Sequence, residues 1–250
     1  MQKITLAGLS LNFVNFSDIL EYLQKGEAKN DDLLHLISLN AENFTLLFEN
    51  PRFRKIVLSS QSLIADGAGI RLAARWLSGM PLERLTGVDT MEKLIEYAVE
   101  RSFEVGFIGG RGDLAESVNK CYKEKYPHLK SFYYRAFLDK NNPREAEIEG
   151  LKHIVSSRKP KMVFVSFGSP FQELWIEENR ALFSDVLLVM GVGGAFEFAA
   201  GKVSRAPRWL QYFGFEWLYR LFRQPWRAKR QFTRLPKFVF LLIKYYVNRK

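Results

Sequence analysis

The stretch "KMVFVSFGSPFQELWIEENRALFSDVLLVMGVG", residues 161–193, decides the fold. Its opening, "KMVFVSFG" (161–168), and its close, "VLLVMGVG" (186–193), run apolar on both faces and end in glycine. The intervening "QELWIEENRALF" has the spacing of an amphipathic helix. Two doubly buried strands joined by a helix pair in parallel, because the crossover carries the chain back to the same end of the sheet.

The alternation continues outward. "LLHLISL" (33–39), "SLIA" (62–65), "EVGFIG" (104–109) and "SFYYRAFL" (131–138) read as strands. "TMEKLIEYAVERS", "DLAESVNKCYKEKY" and "PREAEIEGLKHIVSS" read as helices between them. The predicted fold is therefore α/β, a Rossmann-like parallel sheet flanked by helices. Asp89 with Glu92, and Ser169 with Gln172, have capping-box spacing, and Pro170 suits the first helical position. No internal repeat or low-complexity linker interrupts the pattern.

Composition bounds the function classes. The 250 residues are 26% charged and 47% hydrophobic, which fits a folded chain with a full core. The one cysteine, Cys121, forms no internal disulfide, and a reducing cytoplasm is expected. The opening "MQKITLAGLSLNFV" lacks an apolar run of signal-peptide length, so secretion is not expected. The longest apolar run, "FVFLLI" (238–243), is far below the ~20 residues of a spanning helix.

The net charge of +10 is concentrated at one end. Up to Gly201 there are 24 Lys/Arg against 26 Asp/Glu; from Lys202 onward there are 13 against one, Glu216. Thirteen of the 36 aromatic residues share that last segment, among them Trp209, Trp217, Phe222, Trp226 and Phe232. A solvated charged helix has no use for so many rings, so the segment points to a polyanion or an anionic membrane. The expected division is residues 1–200 as an α/β catalytic domain and 201–250 as a basic-aromatic helical appendage. A chain ending near Gly201 is expected to keep its core and lose the appendage's binding.

Ligands of such sheets sit beyond the carboxyl ends of the strands. Three turns there carry candidate residues. In "ADGAGI" (65–70), Asp66 either caps the following helix or faces a ligand that Gly67 and Gly69 allow close to the backbone. In "FIGGRGDLA" (107–115), Gly110-x-Gly112-x-x-Ala115 matches a dinucleotide-binding pattern, yet "SFYYRAFL" brings no carboxylate until Asp139. A nucleotide phosphate near Gly109 and Gly110, or a tight packing turn, fits better than an NAD(P)-dependent oxidoreductase. In "FGSPFQE" (167–173) and "GVGGAFEF" (191–198), the N–H groups around Gly168, Gly193 and Gly194 suit a diphosphate. Gln172 is either a capping partner or a ligand contact.

"NAE" (Asn40–Glu42), "ADG" (Ala65–Gly67), "ERLTGVD" (Glu83–Asp89), "GSPFQE" (Gly168–Glu173), "GVGGAFEFAAGKVSRAP" (Gly191–Pro207) and "EWLYRLFRQPWRAKR" (Glu216–Arg230) occur in this order. Together they resemble the WecG/TagA/CpsF glycosyltransferase family of bacterial surface-polysaccharide assembly, across roughly residues 40–231. The resemblance implies an inverting transfer from a UDP-sugar to an undecaprenyl-diphosphate-linked GlcNAc acceptor. It also implies a cytoplasmic enzyme, peripheral on the inner face of the cell membrane. The donated sugar, of N-acetylmannosamine type or another hexose, differs among members. Ala68 after the ADG glycine and Thr90 after Asp89 depart from the usual pattern and bear on sugar choice.

Such a transfer needs a base for the acceptor hydroxyl and positive charge or N–H donors for the departing UDP. Asp66, carried over from the ADG motif, is the expected base, and Asp89 is the second candidate. Arg220, Arg227 and Arg230 fall at motif arginines that the resemblance assigns to the acceptor diphosphate or to completing the active site. Asn40, Gly67, Asp89, Gly109, Gly110, Gly168, Gln172, Gly193 and Gly194 are the expected substrate contacts, and Arg223 and Arg234 the membrane or acceptor-phosphate contacts. No Asp-x-Asp and no metal-ligand spacing occurs, so a metal-independent reaction without cofactor is expected.

Arg220, Arg223, Arg227, Arg230 and Arg234 recur at intervals of three and four, one stripe on an unbroken helix. Pro225 predicts instead a break near Gln224, with a second helix opening at the proline. Guanidinium groups suit phosphate, and the neighbouring rings suit insertion into a leaflet. A nucleic-acid-binding role would use the same arginines and rings but leave the strand-end turns idle, and no nucleic-acid partner is expected. A homo-oligomer stays compatible with the sequence.

Overall fold

A computed structural model describes residues 1–29, 33–139, 143–212, 214–223, 225 and 228–248. In chain order the elements begin with β1 (Gln2–Leu6), β2 (Leu9–Phe13), α1 (Phe16–Lys29), β3 (Leu34–Leu39), α2 (Ala41–Leu46), α3 (Pro51–Ser59), β4 (Leu63–Ala65) and α4 (Ala68–Ser78). There follow α5 (Gly87–Glu100), β5 (Glu104–Gly109), α6 (Leu114–Lys125), β6 (Lys130–Tyr134), α7 (Glu145–Arg158), β7 (Met162–Ser166), α8 (Phe171–Glu178) and a 3-10 turn (Arg180–Phe183). The chain closes with β8 (Leu188–Gly191), α9 (Ala195–Ala199), α10 (Arg208–Tyr212), α11 (Glu216–Arg223) and α12 (Ala228–Asn248). This is the α/β fold that the alternation predicted, its strands mostly parallel and flanked by helices.

The chain forms two compact units. The first comprises Met1–Asp18, Ile37–Thr86 and Val203–Lys250, and the second Ile19–Leu36 and Gly87–Lys202. In the first unit the strands run β1, β2, β4 and the Ile37–Leu39 part of β3, with β1 antiparallel to β2 and the others parallel. The β1–β2 hairpin went unread in the sequence, although its alternation is complete. Ile4, Leu6, Leu9, Leu11 and Phe13 are buried, and Lys3, Thr5 and Ser10 are exposed. Ala7 and Gly8, both at positive φ, make the two-residue turn whose twist matches paired strands.

In the second unit β8, β7, β5 and β6 lie side by side and parallel. The N–H of Leu34, at the start of β3, bonds to the Leu187 carbonyl just before β8. β5 and β7 are buried on both faces, which explains their unbroken apolar reading. On one side Phe107 packs with Tyr122, Phe164 and Phe196; on the other Ile108, Val163 and Val165 meet Trp175, Ile176 and Phe183. β6 ends at Tyr134, four residues before the expected Leu138, which is exposed.

Two helix starts, those of α5 and α8, differ from the sequence reading. α5 begins at Gly87, so Asp89 sits inside its first turn instead of capping it, and Glu92 pairs with Lys125. α8 begins at Phe171 with Pro170 at the N-cap and no side-chain cap from Ser169. α4 is preceded by Gly67 at the N-cap, φ 82°, a residue with no side chain to cap the helix.

The C-terminal residues from Val203 belong to the first unit and build part of its core. Phe238 and Leu242 of α12 are buried with Phe44, Ile70 and Ala74, and Phe238 meets Phe44 edge-on at 5.4 Å. A chain ending near Gly201 would therefore expose this core, contrary to the expectation that it would be left intact. α11 ends at Arg223 and α12 is described from Ala228, so the predicted break near Gln224 falls outside the described residues. Gln224, Trp226 and Arg227 lie outside the described residues. α12 also runs through Pro236, on its exposed side.

Candidate active site

In the first unit, β3 and β4 end side by side, Leu39 opposite Ala65, and deliver the NAE and ADG motifs together. The Asp66 N–H bonds to the Leu39 carbonyl (3.0 Å), which ties the end of one strand to the other. Ser38 Oγ donates to Asp66 Oδ2 at 3.1 Å, so the partly buried carboxylate is held from the neighbouring strand. Ser38 was not singled out in the sequence; its signal was a lone hydroxyl in an apolar strand. Asn40 is the N-cap of α2: its Oδ1 accepts from the Asn43 N–H, and Asn43 Oδ1 accepts from the Asn40 N–H. A cavity of about 340 Å³, the size of small-molecule sites, reaches Ala65 and is lined by Val14, Asn15 and Glu83 among others.

The C-terminal helices close on these motifs. Arg230 Nε pairs with Glu42 of the NAE motif at 2.7 Å. Gly214, at φ 79°, lies against the ADG turn, where an added Cβ would come within 2.5 Å of the Ala68 Cβ. The segment's one acid, Glu216, faces Arg84 at 3.6 Å and Arg205 at 3.8 Å. Glu216 thus joins the ERLTGVD block, the SRAP turn and α11. Arg223 donates to Ser204 Oγ (3.0 Å), Arg220 and Arg234 are half-buried, and Arg227 is outside the described residues. These long-range pairings had no local signal in the sequence.

The second unit carries the remaining candidates. The Gly110 N–H is committed to the Ser166 carbonyl (2.8 Å), and at Gly109 and Gly110 an added Cβ would strike Phe167 and Leu114. The glycines therefore serve close packing between the ends of β5 and β7. Gln172, 3% exposed, does more than its capping-box spacing suggested. Its Oε1 accepts from the N–H groups of both Gly168 (3.0 Å) and Gly193 (3.1 Å), clamping the turns after β7 and β8. Its Nε2 donates to Oε1 of the buried Glu173 (2.9 Å). Gly194 caps α9, and Asp89 lies in the first turn of α5. Among the described residues no group of three or more His, Cys, Asp and Glu is placed to hold a metal ion.

Burial pushes the Glu173 carboxyl above its ordinary value of 4.5, and the hydrogen bond from Gln172 opposes this only in part. The native state then binds the proton more tightly than the unfolded one. The stability this proton confers is full below pH 4.5 and is lost as pH rises toward the native value. Glu177, held down by its hydrogen bond from His35 (2.7 Å), has the opposite sign and gives up stability as pH falls. Glu173→Gln keeps an acceptor for Gln172 and removes the charge. Its melting temperature at pH 8 is expected to exceed that of the wild type by roughly 2–4 °C per kcal/mol relieved, with the gain shrinking toward pH 5. A lower melting temperature for the variant at both pH values would contradict this sign.

A carboxylate thus stands at the end of a parallel strand, with arginine-bearing helices closing on its turn. The glycosyl transferase WecG/TagA/CpsF family model matches residues 4–250, and the chain belongs to that family. It is similar to proteins named N-acetylglucosaminyldiphosphoundecaprenol N-acetyl-beta-D-mannosaminyltransferase. That of Bacillus subtilis (strain 168) is 26% identical over 250 residues, covering 100% of this chain and 94% of the relative. That of Bacillus spizizenii (strain ATCC 23059 / NRRL B-14472 / W23) is 30% identical over 212 residues, 84% of this chain and 79% of the relative. That of Staphylococcus aureus (strain MW2) is 23% identical over 243 residues, 97% and 92% respectively.

Proposed function

We propose that this glycosyltransferase moves an N-acetylmannosamine-type sugar from a UDP-sugar to an undecaprenyl-diphosphate-linked GlcNAc. The observation that carries the reading is the meeting, in one compact unit, of Asp66 with the arginine-bearing C-terminal helices, through Arg230 on Glu42 and Gly214 on Ala68. Asp66 accepts the proton of the acceptor hydroxyl as that oxygen attacks the anomeric carbon, and UDP leaves from the opposite face with inversion. Ser38 keeps the carboxylate aimed. Arg220, Arg227, Arg230 and, nearer the leaflet, Arg223 and Arg234 meet diphosphate charge without calling on a metal ion. In this reading Asn40 and Gly67 bound the substrate site in the first unit; in the second, the N–H groups of Gly110, Gly168 and Gly193 are already taken by Ser166 and Gln172.

Residues 201–250 hold the lipid-linked acceptor in this scheme, and residues 1–200 supply the donor site. No helix among the described residues is long and apolar enough to cross a membrane, and a peripheral enzyme on the inner face of the cell membrane agrees with that. The test offers a panel of UDP-sugars with an undecaprenyl-diphosphate-GlcNAc analogue and measures UDP release. UDP-N-acetylmannosamine is expected to be consumed in an acceptor-dependent way. UDP release from no donor, or thermal protection by NAD or NADP instead of UDP, would overturn the reading.

A further inference from the structure

α12 is two-sided in an unusual sense. Phe238 and Leu242 turn inward, yet Phe232, Val239, Ile243 and Tyr246 are exposed and fall within about 60° of one another at ~100° per residue. Phe240 and Val247, both 62% exposed, continue that apolar face. It does not stop at the edge of α12. Trp76 of α4 lies against Tyr246, ring centroids 5.0 Å apart, and Leu72, one turn earlier, is 65% exposed. Met80, just past the end of α4, is exposed as well. The inward faces of the two helices, Ile70, Ala73 and Ala74 on one and Phe238 and Leu242 on the other, share one core, so both outward faces are fixed by the same packing.

The two helices carry charge of one sign, although Arg230 and Lys237 of α12 are paired with Glu42 and Glu49. α4 contains Arg71 and Arg75 and no acid; α12 contains Lys229, Arg230, Arg234, Lys237 and Lys244 and no acid. An apolar stripe beside a net cationic margin, with Arg71, Arg75, Lys229, Arg234 and Lys244 beyond those two pairs, is complementary to an anionic leaflet, whose acyl region takes the rings and whose headgroups take the cations. We infer that Leu72, Trp76 and Met80 of α4 and its end join α12 in one membrane-docking surface for an anionic bilayer. α4 is the helix that follows Asp66, so this surface would set the height of the acid above the leaflet and not merely tether the chain. The inference rests on the peripheral-enzyme reading above and extends it from the C-terminal segment to α4.

The test is co-sedimentation of the full chain with vesicles of phosphatidylglycerol and phosphatidylcholine, and with phosphatidylcholine alone. The triple variant Leu72→Ser, Trp76→Ser, Met80→Ser is expected to bind the anionic vesicles at least tenfold more weakly than the wild type. Trp76→Phe alone should restore the wild-type level. Leu72→Asp, at a side chain mostly in solvent, serves as a second variant should the triple one melt early, and it should also weaken binding severalfold. Wild-type binding by both α4 variants, while Trp217→Ser with Phe222→Ser loses it, would sink the role of α4 and leave the peripheral reading standing. Failure of the wild type to bind any vesicle would sink both. Equal binding to phosphatidylcholine alone would remove the cationic margin from the account. A lipid-free dimer abolished by the triple variant would reassign the surface to a second copy of the chain.

Discussion

Replacing Asp66 with Asn is expected to lower turnover by about 10²–10⁴-fold while leaving the melting temperature nearly unchanged, the range typical for loss of a positioned general base. The substitution is conservative in shape: the amide oxygen still accepts from Ser38 Oγ, and the backbone tie from Asp66 N–H to Leu39 is untouched. What is lost is proton affinity at an atom that the β3–β4 register holds in place. The loss should appear in kcat with little change in KM, because the group acts in the transition state and not in ground-state binding. Single-turnover measurements with the UDP-sugar identified by the donor panel separate the two. Turnover within a few-fold of the wild type would remove Asp66 from the chemistry and move attention to Asp89.

Phe238→Ala carries the largest expected stability loss, about 3–5 kcal/mol, the usual cost of deleting a large buried ring. Phe238 is 4% exposed, meets Phe44 edge-on, and lies in the same core as Ile70 at the start of α4. A loss of that size corresponds to a fall in melting temperature of roughly 6–20 °C. Activity at low temperature should drop too, because the same side chain stands 3.6 Å from where a Cβ on Gly69 would be, just behind the ADG turn. A change below about 1 kcal/mol by thermal or denaturant unfolding would mean that the C-terminal helix does not build the first unit's core.

The sheet from Leu34 to Gly191 was readable because strands buried on both faces appear as plain apolar runs between amphipathic helices. The N-terminal hairpin carries an equally clear period of two, but over strands of only five residues each, too short a run to stand out by pattern alone. The tail misled for the opposite reason. In "FVFLLI" every residue is apolar, so nothing local separates Phe238 and Leu242, which face the core, from Val239 and Phe240, which face out. Segregation by charge then made a core helix look like an appendage.

The site was legible as motifs and illegible as contacts. Asp66, Gly67 and Asn40 stood at strand ends, where sequence logic looks for them. Gln172 sat three residues after Ser169, a spacing that reads as a cap, yet tertiary structure gives its amide two glycine N–H groups from different turns. Glu42 with Arg230, and Glu216 with Arg84 and Arg205, join segments far apart in the chain, and no periodicity encodes such partners.

The most direct single measurement is the mass of the lipid product after the purified full chain is mixed with UDP-N-acetylmannosamine and undecaprenyl-diphosphate-GlcNAc. The account predicts an acceptor heavier by one N-acetylhexosamine with the wild type, and scarcely any such product with Asp66→Asn. An acceptor of unchanged mass with every UDP-sugar, or equal product from both proteins, would contradict it.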